Sequence, residues 1–175
     1  MLFVKMIIKY TNFSDGVHQF KLSETAEKLG LENLFFGNVN VDCKMDKSPH
    51  QIVLNCETTA KSKLVCDRCN QEYEAELKSS FLLSFLFAKS EKTEDYNVRY
   101  LSPEQDKIDL TKDVYEYAEL SIPMKNLCRE DCKGLCPKCG TNLNVKQCGC
   151  KIEIENDIWA PLKKLKDQPE PPSEN

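Results

Sequence analysis

Six of the ten cysteines in this chain fall in one stretch, CREDCKGLCPKCGTNLNVKQCGC, spaced Cys128-x3-Cys132-x3-Cys136-x2-Cys139-x8-Cys148-x-Cys150. A further pair, Cys66-x2-Cys69, stands far upstream. Eight thiols in paired clusters suit two tetrahedral four-thiolate zinc sites. In Cys136-Pro137-Lys138-Cys139-Gly140, Pro137 pre-sets φ for a turn, and Gly140 can take φ > 0 just after the second thiol. Such a turn aims amide N–H groups at sulfur, which stabilises a thiolate. Cys148 and Cys150 can complete that site. Cys66 and Cys69 would then join Cys128 and Cys132 in the second site, stapling the front of the chain to the back. Spacing alone does not fix this pairing.

Disulfides are the competing reading of the eight. Two features oppose it. The start, MLFVKMIIKY, lacks a charged region followed by a long apolar run. The longest apolar stretch, 81–88, is broken by Ser84 and is too short to span a membrane. A reducing cytoplasm is the expected location, where CxxC clusters mean metal or redox chemistry. The other two cysteines, Cys43 and Cys56, have no CxxC partner and lie about equally far from a Ser48-Pro49 turn. They read as small buried hydrophobes.

With 175 residues the chain can bury one real core. Residues 1–11 are rich in strand formers, and a turn at 12–16 leads to a second strand at 17–22. Residues 23–30 suit one helical turn ended by Gly30. Residues 34–44 and 51–59 alternate around Ser48-Pro49 as a hairpin. Residues 61–65 lead into the first CxxC at a strand end. Residues 72–87 return as a long strand, with 81–87 expected to be buried on both faces. Residues 89–107 are charged and aperiodic, which predicts a mobile surface loop with an edge strand near 98–101. Asp109 is the expected cap of a helix over 110–120, where Leu110, Val114, Tyr117 and Ala118 make one stripe ended by Pro123. Past the cysteines, 151–155 alternates as an edge strand. Asp157 can cap a short helix docked by Ile158, Trp159, Leu162 and Leu165. The Pro-rich acidic end, 167–175, is expected to be disordered.

The predicted fold class is therefore α+β. A mainly antiparallel β-sheet or partial barrel carries one or two helices, and a cysteine-rich zinc-binding segment closes it. Residues 1–166 form one domain: a β-rich part (1–88), the charged loop (89–107), and the helix with the zinc segment (108–166).

The order IDLTKDVYEYAELSIPMKNLCREDCKGLCPKCGTNLN, ending in a close cysteine pair, resembles the YceD family of large ribosomal RNA accumulation proteins. LVCDRCNQEYE resembles that family's first cysteine pair. The likeness is specific over 108–150 and 66–73. The first sixty residues share only a strand-rich character, and 89–107 do not match. The resemblance implies a bacterial cytoplasmic protein or an organellar relative, supporting production or stability of large-subunit (23S) ribosomal RNA. It implies contact with precursor RNA or a ribosomal protein, and no catalysis. Some family members lack the later cysteines, so it also implies that zinc is a scaffold.

The residues agree on catalysis. The six glycines form no GxGxxG or P-loop. His18 and His50 lie away from the cysteines, and no Ser/His/Asp triad suggests itself. No small-molecule substrate and no membrane partner is expected. Lys125, Arg129, Lys133, Lys138, Lys146 and Lys151 face only Glu130 and Asp131 in that span. They can bind RNA phosphates or balance the thiolates. The net charge of −4, carried to about −8 by two four-thiolate zinc sites, disfavours non-specific nucleic-acid binding. A zinc-thiol redox switch is the alternative function, and a plain protein-binding module is a third.

Overall fold

The structure is a computed structural model describing residues 6–87, 97–102 and 104–150. Ile7–Ile8 (β1) is followed by a 3-10 turn at Tyr10–Asn12, then Gly16–Thr25 (β2), Ala26–Leu29 (α1) and Phe35–Lys47 (β3). Gln51–Val65 (β4), Glu72–Leu86 (β5), Val98–Tyr100 (β6), Ile108–Asp109 (β7) and Thr111–Leu120 (α2) complete the order.

Five strands form an open sheet in the order β2-β3-β4-β5-β6, antiparallel except for the parallel pair β5–β6. β1 and β7 pair as a small separate ribbon. The expected α+β class and mainly antiparallel sheet are what the structure has. The hairpin is longer than its hydrophobic alternation suggested, with β4 running on to Val65 and so to the edge of the first CxxC.

Period-two alternation puts one face of the sheet in the core. Val39, Val41 and Met45 of β3, Ile52 and Leu54 of β4, and Phe81, Leu83 and Phe85 of β5 are buried. Helix α2 covers that face with Leu110, Val114 and Ala118, and Tyr117 stacks on Phe81 with ring centroids 4.8 Å apart. The opposite face is polar, with Asn40, Asp42, Lys44, Asn55 and Glu57 exposed.

Several expectations change. Residues 81–87 alternate instead of being buried on both faces: Leu82 is half exposed, because none of the described residues covers the outer face of β5 there. Within 1–11 the only described strand is β1, a two-residue partner of β7. β2 runs through Thr25, so helix α1 begins only at Ala26. The Thr25 hydroxyl accepts from Lys28 N–H, and Gly30 ends the helix at φ +77°. Leu110 occupies the cap position of α2, while the Asp109 carboxylate accepts from the Thr111 N–H at 3.0 Å. The edge strand expected near 98–101 is β6; most of the loop before it, and everything expected over 151–175, lies outside the described residues.

Cys43 and Cys56 are buried, as expected, but joined by a disulfide. They are directly opposite in the β3–β4 ladder with Cα atoms 4.1 Å apart, the close spacing of a pair that shares no ladder hydrogen bonds. The turn symmetry that placed them on matching positions made the bond possible. Cys43→Ala is expected to lose about 3 kcal/mol of stability, the loop-closure value for a cross-link of this span. Metal loading of the other eight cysteines should stay complete. Denaturant melts with metal analysis check this, and loss of one metal per chain would mean that Cys43 belongs to a metal site.

A candidate metal centre of eight cysteines

The structure brings the eight cysteines together as two groups of four. Cys66, Cys69, Cys128 and Cys132 form one, and Cys136, Cys139, Cys148 and Cys150 the other; within each, the sulfurs all lie within 4.8 Å of one another. All eight are free thiols.

The two CxxC turns share one geometry. Asn70 N–H donates to Cys66 O at 2.8 Å, and Gly140 N–H to Cys136 O at 2.8 Å. Cys66 N–H donates to Gln71 O, and Cys136 N–H to Thr141 O, both at 2.9 Å. Gly140 takes φ +70°, as its sequence position suggested, and Asn70 fills the same place in the first turn at φ +56°. Asparagine is among the few side chains that tolerate this region, so the equivalence was hidden by a residue change.

The first group is a small buried core of its own. Cys66, Cys69 and Cys132 are buried and Cys128 half-buried, with Tyr73 and Leu127 packed against them. Tyr73 also touches the main core, so β5 links the two. Cys66 and Cys132 sulfurs are 3.8 Å apart, and those of Cys69 and Cys128 3.7 Å. Four sulfurs at the usual 2.3 Å from zinc lie about 3.8 Å apart along the edges of a tetrahedron, so the spacing fits such an ion.

Electrostatics make the same demand. The Cys128 N–H, helped by those of Cys69 and Arg68, holds the Cys66 thiol down to about 6 against the opposing effect of burial. Burial, then hydrogen bonding with Cys66, Cys69 and Cys132, pushes Cys128 up to about 12. In the second group, the Thr141 hydroxyl and N–H bring Cys139 down to about 6, while hydrogen bonding to Cys139, then burial, drives Cys150 up to about 12. Four adjacent sulfurs cannot all become thiolates unless a cation joins them.

Residues beyond the cysteines hold the two parts together. Arg68 Nη1 donates to Cys132 O at 2.9 Å and to Glu130 O at 3.3 Å. Arg68 O accepts from Leu135 N–H at 3.0 Å. Asp67 Oδ2 accepts from Asn126 N–H at 2.6 Å, and Asp67 N–H donates back to Asn126 O. Gly134, at φ +75°, lies so near that a Cβ there would stand 2.9 Å from Arg68 O. Sequence reasoning missed Arg68, Gly134 and Asn144; a glycine between two cysteine pairs was the only available signal. Gly134→Ala is expected to cost about 2 kcal/mol locally, from left-handed backbone strain and this clash. The readout is faster amide exchange at Leu135 with no change in β3 and β4; unaltered exchange at Leu135 would refute it.

Lys125, Arg129, Lys133, Lys138 and Lys146 are exposed around the two groups, and Lys151 lies outside the described residues. His18 Nε2 donates to Ser14 O, His50 is exposed, and neither joins a thiol group. Among the described residues, no helix is long and apolar enough to cross a membrane.

A family model described as "Large ribosomal RNA subunit accumulation protein YceD" matches residues 54–166, a span that contains both thiol groups. The chain belongs to the YceD family. A chloroplastic protein of Arabidopsis thaliana, named Large ribosomal RNA subunit accumulation protein YCED homolog 1, is 36% identical over 69 residues, 39% of this chain and 22% of that protein. The Zea mays protein of the same name is 41% identical over 59 residues, 33% of this chain and 20% of its own length. An uncharacterized protein of Mycobacterium tuberculosis strain H37Rv is 26% identical over 152 residues, 82% of this chain and 72% of that protein. The chain thus spans about a fifth of the length of the chloroplast YceD proteins it matches. No solved structure matches it.

Proposed function

We propose that this protein is a non-enzymatic factor that supports accumulation of large-subunit ribosomal RNA, with zinc in both four-cysteine groups as structural ions. The observation that carries this reading is the YceD match across both thiol groups. The metal half rests on the donor set: four sulfurs per group within 4.8 Å of one another, two pairs of the first group at tetrahedral-edge spacing, backed by N–H donors. Zinc supplies no reactivity here. It holds the turns after β4 and after α2 against each other, and the chain presents the resulting surface to a partner. That partner is precursor large-subunit RNA or a large-subunit ribosomal protein, met by the exposed lysines and Arg129 around the groups, in the cytoplasm of a bacterium or in an organelle.

Depleting the protein in its source cells should lower the ratio of large- to small-subunit ribosomal RNA, and resupplying it should restore the ratio. An unchanged ratio on depletion would sink the assignment. Purified protein then separates the partners: direct RNA contact gives a complex that weakens steeply with salt. A protein-mediated role gives none.

One observation favours a second reading, the zinc-thiol redox switch. Cys139 is exposed and Cys148 and Cys150 are half-buried, whereas three of the four thiols of the first group are buried. An oxidant therefore reaches the second group first. Metal released from it by a mild peroxide dose that leaves the first group loaded would support a switch; full retention would exclude it.

A further inference from the structure

The two thiol groups are not separate modules, and besides the Arg68–Leu135 hydrogen bond a residue that belongs to neither joins them. Asn144 lies in the excursion between Cys139 and Cys148, so both ends of its loop belong to the second group. Its side chain, however, reaches the first. Asn144 Nδ2 donates to Cys132 Sγ at 3.3 Å and to Asn142 Oδ1 at 2.9 Å. Asn144 Oδ1 accepts from Arg129 Nη2 at 2.7 Å and from Lys133 N–H at 2.8 Å. The amide orientation is fixed by these partners: turning it over would aim an NH2 at two other donors. The donor end therefore faces sulfur, and the acceptor end gathers the segment that carries Cys128 and Cys132.

What holds the excursion in place is slight. Leu143 N–H donates to Gly134 O at 2.9 Å, and Leu135 and Asn142 form an isolated bridge. Val145 is 79% exposed, and residues 141–144 are only half-buried. Among the described residues no packed core surrounds Asn144, which leaves closure of the loop at Cys139 and Cys148 to hold the excursion in place.

On the zinc reading above, we propose that Asn144 is the positioning residue that couples the two metal sites. Filling the second site orders its loop and delivers an N–H to a sulfur of the first, so each site binds metal more tightly when the other is filled. A hydrogen-bond partner of a metal ligand is worth about 10–100-fold in metal affinity. Because coupling is reciprocal, the second site gains the same factor from the first.

The test titrates full-length, reduced, metal-free protein with Co2+ against a chelator, following the thiolate-to-cobalt charge-transfer band. Cys148→Ser with Cys150→Ser leaves only the first site, and Cys66→Ser with Cys69→Ser leaves only the second. Each remaining site is expected to bind about 10-fold or more weakly than in the wild-type chain, by matching factors. Asn144→Asp keeps an acceptor for Arg129 and Lys133 but has no N–H for the sulfur. It should still take up two Co2+, with a weakened and spectrally shifted first site, and the coupling factor should fall to about threefold or less. Affinities that do not depend on the other site, or coupling undiminished in Asn144→Asp, would overturn the inference. If the wild-type chain binds two Co2+ independently, only the coupling fails. If it binds none, the metal reading fails as well.

Discussion

Cys136→Ser is expected to release one metal ion per chain and to leave residues 134–150 without fixed structure while the five-stranded sheet stays folded. The reason is that, among the described residues, only scattered hydrogen bonds such as Leu135 to Arg68 and Asn144 to Cys132 otherwise support that segment. Cys136 is buried, but Leu135 is 39% and Val145 79% exposed, and no strand or helix runs through it. Where ligands are the core, metal binding is folding free energy, of order 10 kcal/mol for a structural zinc. A serine oxygen replaces one thiolate donor and forfeits most of it. The sheet has its own apolar layer under α2 and does not depend on this site. Metal content should fall from two to one. Backbone exchange should become fast over 134–150 and stay slow at Val41, Met45 and Leu54. Unchanged metal content and melting would remove zinc from the account of this fold. Chelator stripping of the wild type should reproduce the same exchange pattern and extend it to residues 66–71, since without the first group only the partly exposed hydrogen bonds of Asp67 and Arg68 hold them against the segment of Cys128 and Cys132.

The CxxC turns could be read because their constraint is covalent and local: such a turn has one compact geometry, and Gly140 announces it, whereas spacing left open which pairs share a group. The strands of the hairpin could be read for a similar reason, since alternation about Ser48-Pro49 has a single register. What could not be read depends on distant partners. Cys43 and Cys56 looked like two ordinary small hydrophobes because their bond needs the two strands to be in exact opposition, which spacing permits but does not require. Residues 81–87 looked doubly buried because an apolar run cannot say whether a second layer exists; here α2 covers one face only, and Leu82 is left outside. Arg68 and Asn144 look like ordinary surface polar residues until the turns meet. The charged composition of 89–107 concealed an anchor of the same kind, Arg99.

Arg99→Met is expected to destabilise the protein by about 3–5 kcal/mol, the cost of a buried charge that loses its partner. Asp113, in the first turn of α2, is only 2% exposed, and Arg99 of β6 meets it with both terminal guanidinium nitrogens, Nη1 at 2.9 Å from Oδ2 and Nη2 on Oδ1. The Arg99 ring contact with Phe85, 6.0 Å from the centroid, adds packing on β5. This pairing fixes the return of the chain from β6 to α2, and α2 in turn carries the peptide on to Cys128. The two partners are not equivalent. Arg99 is 38% exposed and can turn to water, so Asp113→Asn should cost clearly less than Arg99→Met. Replacing both, Arg99→Met with Asp113→Leu, should recover much of the loss, because no charge is left stranded. A double-mutant cycle on thermal or denaturant midpoints measures this, and Arg99→Met alone should lower the melting midpoint by roughly 10 °C in a chain of this size. Equal losses from the two single variants, or additive losses in the pair, would show that the ion pair is a surface contact and that β6 is held by its ladder to β5 instead.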